Sequence, residues 1–368
     1  MAHIAVDARI INSSTGTYVE RLLHYLEKID TTNTYSILVP SKDIDYWKPT
    51  NPRFTMRAID IPNYSFKEQV VFKSYLDKLS PDLVHFCMPQ QPILYHGASV
   101  TTVHDLTLLH VYNSDKNWLV YHLKQLVGRF VFKRIASTNQ HIITPSLYTK
   151  EAYCAFSGIS PDNVTVTYEA ADVFAGETAP YDHPFSSYIL YVGQQSDYKN
   201  IVRLAEAHQK LLEQHPDLGL ILVGKLTKSA LINKALFESK GYKNVLFTDF
   251  IPNAERDWLY QHAEAYVFPS LMEGFGLPGL EAMAYGTPVI SSNATCLPEI
   301  YGDAAAYFNP ESIDDMADAI GRVIRDKSLQ KSLVQKGYAQ VKKYSWEKMA
   351  HETLAVYENA LKNSSEQS

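Results

Sequence analysis

Two glutamates eight residues apart, Glu273 and Glu281, enclose three glycines and a proline in the stretch EGFGLPGLE. These residue types suit a charged, hydroxyl-rich ligand. A carboxylate accepts hydrogen bonds from a diol, and glycine lets a backbone N–H approach an anionic group closely. Pro278 fits the first turn of a helix, where its missing N–H is not needed, and Gly286 fits the position just past the helix end. AEAYVFPS before the stretch reads as a strand and TPVISS after it as the next one. The stretch is therefore a strand-to-helix loop ending on a helix N-terminus, where free N–H groups and the helix dipole favour a phosphate. Acids near a first helical turn are also ordinary dipole partners, so taken alone the stretch leaves a purely structural role open.

Three other stretches repeat this arrangement. YVGQQSDYKNI runs from a strand through Gly193 and Gln194 to Lys199 and Asn200 at a helix start. A lysine there opposes the dipole preference, which a bound diphosphate would explain; a solvated surface lysine is the plain alternative. STGTYVERLL follows a strand over 3–10 and puts Gly16 at the start of a helix. In TTVHDLTLLH, His104 and Asp105 end an apolar strand, although a lone His-Asp pair is more often structural.

The elements that must position these residues alternate between apolar and amphipathic. HIAVDARI, YSILVP, DLVHFC, SVTTVHDL and HIITPS read as strands, with helical patterns over 16–28, 66–79, 118–136 and 147–157. After the aperiodic stretch 169–187 a second series begins: YILYVG, GLILVG, NVLFTDF, EAYVFPS and TPVISS. Continuous apolar strands alternating with helices predict parallel sheets covered on both faces. Two series predict two doubly wound α/β domains, placed at 1–176 and 177–345, with a helix over 346–361 and a disordered tail over 362–368. Such sheets take ligands at the strand C-termini, and with two of them the expected site is the cleft between.

With 368 residues and 46% hydrophobic content the chain suits two cores rather than one. A net charge of −6 argues against a nucleic-acid partner. Three cysteines without a CxxC pair read as buried thiols in a reducing compartment. Asp7 and Arg9 interrupt the first apolar run, which excludes a signal peptide reading, and no uncharged apolar window is long enough to span a membrane. The expected location is cytoplasmic. The basic segment 116–136, with Lys116, Lys124, Arg129, Lys133 and Arg134 and no acid, has two readings. One is a core-packed helix with a solvated basic face, which is preferred. The other is peripheral contact with the inner face of an anionic membrane.

Taken together these residues resemble glycosyltransferase family 4, retaining group 1 enzymes of GT-B architecture. The resemblance covers nearly the whole chain and is strongest over 188–309, where E-x7-E stands in the context GLILVGK, FTDFIPNAERDWLYQHAEAYVFPS and AMAYGTPVISSNATCLPEIYGDAAAYFNP. It implies an N-terminal acceptor-binding domain and a C-terminal domain that binds a nucleotide-sugar donor. YSWEKMAHETLAVYENAL resembles the helix that crosses back onto the first domain. By the resemblance, Glu281 holds the donor ribose, Glu273 lies close to the donor sugar, and Lys199 holds the diphosphate. Gly16 belongs to the loop that approaches the phosphates, and His104 touches the donor sugar beside the reacting carbon. The backbone of Phe275, Gly276 and Leu277 reaches the sugar and phosphate, and main chain at Phe250 and Ile251 meets the nucleobase.

The resemblance also implies transfer with retention and without a metal or other cofactor. The acceptor would be a glycan or a lipid-linked sugar in polysaccharide biosynthesis. GDP-mannose is mildly preferred over UDP-sugars as donor. One departure weakens the match: Gln194 stands after Gly193 where the family usually has an arginine. Two other readings stay open, a catalytically weak nucleotide-sugar binder and a nucleotide-sugar epimerase.

Overall fold

The computed structural model describes residues 1–110, 118–172 and 176–366. Of the basic segment expected over 116–136, Lys116 and Asn117 lie outside the described residues. The chain divides into two compact units. Unit 1 comprises Met1–Leu109, Lys124–Glu169 and Ser345–Ser368, and unit 2 comprises His110–Leu123 and Ala170–Tyr344.

Unit 1 is built on a seven-stranded parallel sheet of β1 (His3–Asp7), β2 (Thr34–Val39), β3 (Phe54–Ala58), β4 (Leu83–Phe86), β5 (Ser99–Thr102), β6 (His141–Thr144) and β7 (Val164–Val166). The strand order is 3-2-1-4-5-6-7, so the winding reverses between β1 and β4. The described helices are α1 (Gly16–Ile29), α2 (Lys73–Leu79), α3 (Thr107–His110), α4 (Trp118–Thr138) and α5 (Leu147–Ser157).

Unit 2 is built on a six-stranded parallel sheet of β8 (Ser187–Val192), β9 (Leu218–Val223), β10 (Val245–Phe247), β11 (Ala265–Phe268), β12 (Val289–Ser292) and β13 (Ala305–Phe308), in the order 10-9-8-11-12-13. Here the winding reverses between β8 and β11. Its helices are α6 (Ile201–Leu211), α7 (Lys228–Ser239), α8 (Asn253–His262), α9 (Leu277–Ala284), α10 (Leu297–Tyr301), α11 (Ile313–Arg325) and α12 (Lys327–Val341).

The central strands are buried along their whole length, as LVHF in β4 and LGLILV in β9 are, because helices cover both faces of each sheet. The helices are amphipathic by the same logic. In α1, Tyr18, Val19, Leu22, Leu23 and Leu26 recur at helical spacing and are buried. Side-chain caps start several helices: Ser146 accepts from the Thr149 N–H, Thr227 from Ala230 and Ser312 from Asp315.

The last helix, α13 (Trp346–Glu366), packs on α1 and on β4, β5 and β6 of unit 1. It continues past the expected end at 361, and Ser364 donates to the Ala360 carbonyl within it, so 362–366 is helical rather than tail. The helix expected over 66–79 also differs. It opens as a π-helical turn, Glu68–Phe72, before α2 begins.

Candidate functional site

In unit 2 the expected donor residues gather at the C-terminal edge of the sheet, around the reversal between β8 and β11. Gly193 follows β8 with φ of 146°, and Gln194 beside it is exposed. A 3-10 turn, Asp197–Lys199, then leads into α6. Asn200 takes the left-handed conformation at the start of α6. Its side-chain amide donates to the carbonyls of Pro269 and Pro310, tying this loop to the end of β11.

Across the reversal, Glu273 lies on the loop after β11. Lys199 Nζ donates to Glu273 Oε1 at 2.5 Å, with both side chains mostly buried. Burial works against the lysine charge, but the adjacent carboxylate more than offsets it and holds the ammonium well above its usual pKa. The Lys199 ammonium also lies 4.9 Å from the centre of the Tyr198 ring. The two residues expected on opposite charges of a donor are thus each other's partner here.

Neighbouring segments fix the backbone of the EGFGLPGLE loop. The Glu273 N–H donates to Thr295 Oγ1, and the Cys296 thiol donates to the Glu273 carbonyl. Thr295 holds φ of 54°, an uncommon conformation for a β-branched residue. Gly276 has φ of 100° and accepts a 2.5 Å hydrogen bond from the Tyr301 hydroxyl at its carbonyl. A Cβ on Gly276 would stand 2.5 Å from that hydroxyl, and one on Gly279 would stand 2.3 Å from the same ring. Both glycines are therefore needed for Tyr301 to pack. Phe275 is buried edge-on to Tyr344, and Leu277 begins α9.

Glu281 sits on α9 one residue beyond its first turn. Burial pushes its carboxyl above the ordinary range, opposed by the charge of Arg256 and by the Tyr260 hydroxyl, which donates to Glu281 Oε2. Arg256 itself forks onto Asp257 Oδ1 with Nε and Nη2. The remaining expected pair lies past β10: Phe250 is 79% exposed and Ile251 is buried. The Phe250 N–H is bound to Asp249 Oδ1, so its ring rather than its N–H faces outward.

In unit 1, His104 lies just past β5. Its Nε2–H donates to the Cys87 carbonyl at 2.9 Å, leaving Nδ1 toward Glu169 Oε1 at 3.5 Å. The Tyr18 ring meets it edge-on at 4.8 Å. Beneath lies a buried chain of hydrogen bonds: Tyr18 hydroxyl to Thr102 Oγ1, Thr102 to His85 Nε2, and His85 Nδ1 to the Tyr357 hydroxyl of α13. Burial, with the charge of His104, drives the His85 pKa down to about 3, so it is neutral.

Gly16 begins α1. A Cβ there would stand 1.9 Å from the Ile11 carbonyl oxygen, and its N–H already donates to the Ser13 carbonyl. Close packing of its own loop accounts for the glycine. Arg203, a candidate replacement for the arginine missing at 194, donates to Asn200 Oδ1. Among the described residues no cluster of three or more His, Cys, Asp or Glu could hold a metal ion.

Sequence reasoning missed Thr295, Tyr301, Arg256, Tyr260 and Glu169. The site residues they support lie 21 to 65 residues away, so no local spacing signals them, although all but Glu169 sit inside the stretches quoted for the resemblance.

Two parallel, doubly wound sheets with ligand-suited loops at their C-terminal edges define the GT-B class of transferases. The model for glycosyl transferases group 1 matches residues 184–340, and that for glycosyltransferase family 4 matches residues 16–173. The chain belongs to this family and is a glycosyltransferase. It is 29% identical to O-antigen chain mannosyltransferase B of Escherichia coli over 72% of this chain and 74% of that one. It is 28% identical to the serotype-specific mannosyltransferase WbdA of Escherichia coli over 98% of this chain, but spans only 46% of that protein. Sucrose-phosphate synthase from Thermosynechococcus elongatus shares the fold, with a TM-score of 0.76 over 97% of this chain and 98% of that one at 20% identity.

Proposed function

We propose that the protein transfers a hexosyl group, mannosyl in preference, from a nucleotide-sugar to a hydroxyl of a glycan or lipid-linked acceptor, with retention and without a metal. The observation that carries this reading is the Lys199–Glu273 pair at the reversal of the unit 2 sheet, beside the Gly276 loop and Glu281. The preference for mannose is supported by relatives named mannosyltransferases, and GDP-mannose is the donor first in line.

Breaking the sugar–phosphate bond builds positive charge on the sugar and negative charge on the leaving diphosphate. Lys199 and the N–H groups at the start of α9 serve the diphosphate. Diphosphate entry draws Lys199 from Glu273, freeing that carboxylate to face the cationic sugar. The new bond joins the acceptor oxygen to the anomeric carbon, and the acceptor proton passes to the departing phosphate oxygen on the same face. That route needs no enzyme nucleophile. Glu281 accepts the ribose hydroxyls, and Phe250 offers its exposed ring to the base.

Calorimetric titration with UDP, GDP and ADP in EDTA tests this. One nucleotide should bind, at least tenfold more weakly to Glu281→Ala. A folded protein that binds none of the three, or binds only with metal, refutes the reading.

No helix among the described residues is long and apolar enough to cross a membrane. Peripheral contact is a second proposal. Leu126, Val127 and Phe130 on α4 are exposed beside Arg129 and Lys133, a mixture that suits an anionic bilayer. Sedimentation with phosphatidylglycerol vesicles should be lost on Phe130→Glu; equal sedimentation with neutral vesicles would count against it.

A further inference from the structure

The reversal of the unit 1 sheet, between β1 and β4, holds a second constructed edge that the donor chemistry leaves unused. Arg9, just past β1, is buried and forks onto Asp7 with Nε and Nη2, each at 2.7 Å. Its Nη2 also donates to Glu68 Oε1 at 2.8 Å, and its guanidinium covers the Phe72 ring at 4.1 Å. This pins the π-helical turn Glu68–Phe72 to the end of β1. Glu68 uses its other oxygen to accept the Tyr64 N–H at 3.1 Å. Tyr64 is thereby held at φ of 59°, a left-handed conformation that a bulky side chain rarely adopts. Left-handed strain of this kind gathers at ligand clamps, and π turns are frequent at functional sites.

What the strain presents is an aromatic ring, 57% exposed. Its hydroxyl is gripped by the side-chain amide of Gln90, from the loop after β4. Gln90 is only 8% exposed, yet its Oε1 has no hydrogen-bond partner among the described residues. Turning the amide over exchanges oxygen for nitrogen and still leaves one atom unsatisfied. A buried amide atom in that condition is the costly arrangement folded proteins avoid unless a ligand or water completes it. The charges that act on the Tyr64 hydroxyl come from Glu68 and Asp105, both acidic. Asp105 adjoins His104, so the ring stands on the same sheet edge as the histidine expected at the reacting carbon.

We propose that Tyr64 and Gln90 form a subsite for a neutral saccharide. A pyranose offers a flat C–H face for the ring and a hydroxyl that both donates and accepts, so it satisfies either orientation of the Gln90 amide. The acidic surroundings disfavour a uronate or a sugar phosphate. This rests on the proposed transfer to a glycan, and assigns the acceptor side of that reaction to these two residues.

Saturation-transfer NMR on the full chain tests it with methyl α-D-mannopyranoside, methyl α-D-glucopyranoside and methyl glucuronide. The ring protons of at least one neutral glycoside should receive saturation, and those of the glucuronide should not. Tyr64→Gly removes the ring and at the same time relieves the left-handed backbone, so the fold should persist. It should reduce the transfer at least fivefold, and Gln90→Leu at least threefold, with nucleotide affinity unchanged. No transfer to either neutral glycoside, transfer equal in Tyr64→Gly, or equal transfer to the glucuronide overturns the proposal. The same samples titrated with UDP, GDP and ADP separate the cases: nucleotide binding without saccharide binding sinks only the subsite. Absence of nucleotide binding sinks the transfer reading itself.

Discussion

The Glu281 carboxyl carries its proton to higher pH than an ordinary glutamate, because burial outweighs the help of Arg256. A raised pKa means that the folded state disfavours the carboxylate, while a ribose diol needs it as an acceptor. Nucleotide affinity should therefore rise with pH through a midpoint above the usual 4.5, and Glu281→Gln should flatten that step. Calorimetry between pH 5 and pH 8 reads this directly; an unchanged step in the variant would assign it elsewhere. Lys199 gives the complementary case. Lys199→Met removes a charged hydrogen bond worth about 1.5–3 kcal/mol and leaves Glu273 without its cation. Diphosphate affinity should fall roughly 10- to 100-fold. Unaltered turnover in that variant would remove Lys199 from the mechanism.

At the scale of elements, the loop between β11 and α9 is held from outside. Tyr301→Phe deletes the hydroxyl that caps the Gly276 carbonyl and should destabilise unit 2 by about 1 kcal/mol. Gly276→Ala meets both a left-handed φ and the Tyr301 hydroxyl, so it should cost more, about 1–3 kcal/mol, and weaken nucleotide binding with it. Urea unfolding of the two variants and of their combination checks this. Relief of the Gly276→Ala defect by Tyr301→Phe is the expected sign of a shared contact.

Much of this loop was legible from its residues. Pro278 and Gly286 bounded the helix, and the apolar strands on either side placed the loop at a sheet edge. Tyr301 and Thr295 were not legible as supports, since the groups they hold, the Gly276 carbonyl and the Glu273 N–H, lie 25 and 22 residues away in sequence. Three strands go unsignalled in the sequence pattern: β3, because FTMRA is half exposed at the sheet edge, β7, because three residues give no periodicity, and β13, the four-residue edge strand AAYF. The pattern over 66–79 carries no sign of the π turn at Glu68, whose side chain is bound by Arg9, 59 residues away in sequence.

For the whole molecule, two buried histidines set acid sensitivity, one in each unit. His85 titrates at about 3 and His208 at about 4, both depressed by burial from 6.5. The unfolded chain takes up protons on both below pH 6.5, while the fold refuses them until those lower values. Each should therefore remove up to about 1.4 kcal/mol of stability per pH unit as pH falls through that window. His85→Gln should be less stable at pH 7 and show a shallower decline to pH 4.5; equal slopes would refute the assignment.

The bond between His85 and Tyr357 closes over 272 residues, and unit 2 is an insertion within unit 1. During vectorial synthesis the first half of the molecule leaves the ribosome without its sealing helix. Tyr357, and the apolar face of α13 that covers α1, arrive only after the entire inserted unit has been made. Until then, the hydrophobic side of α1 and the neutral imidazole of His85 lack their cover. Unit 1 is thus begun before unit 2 and completed after it, and truncation just before Trp346 would injure unit 1 more than unit 2.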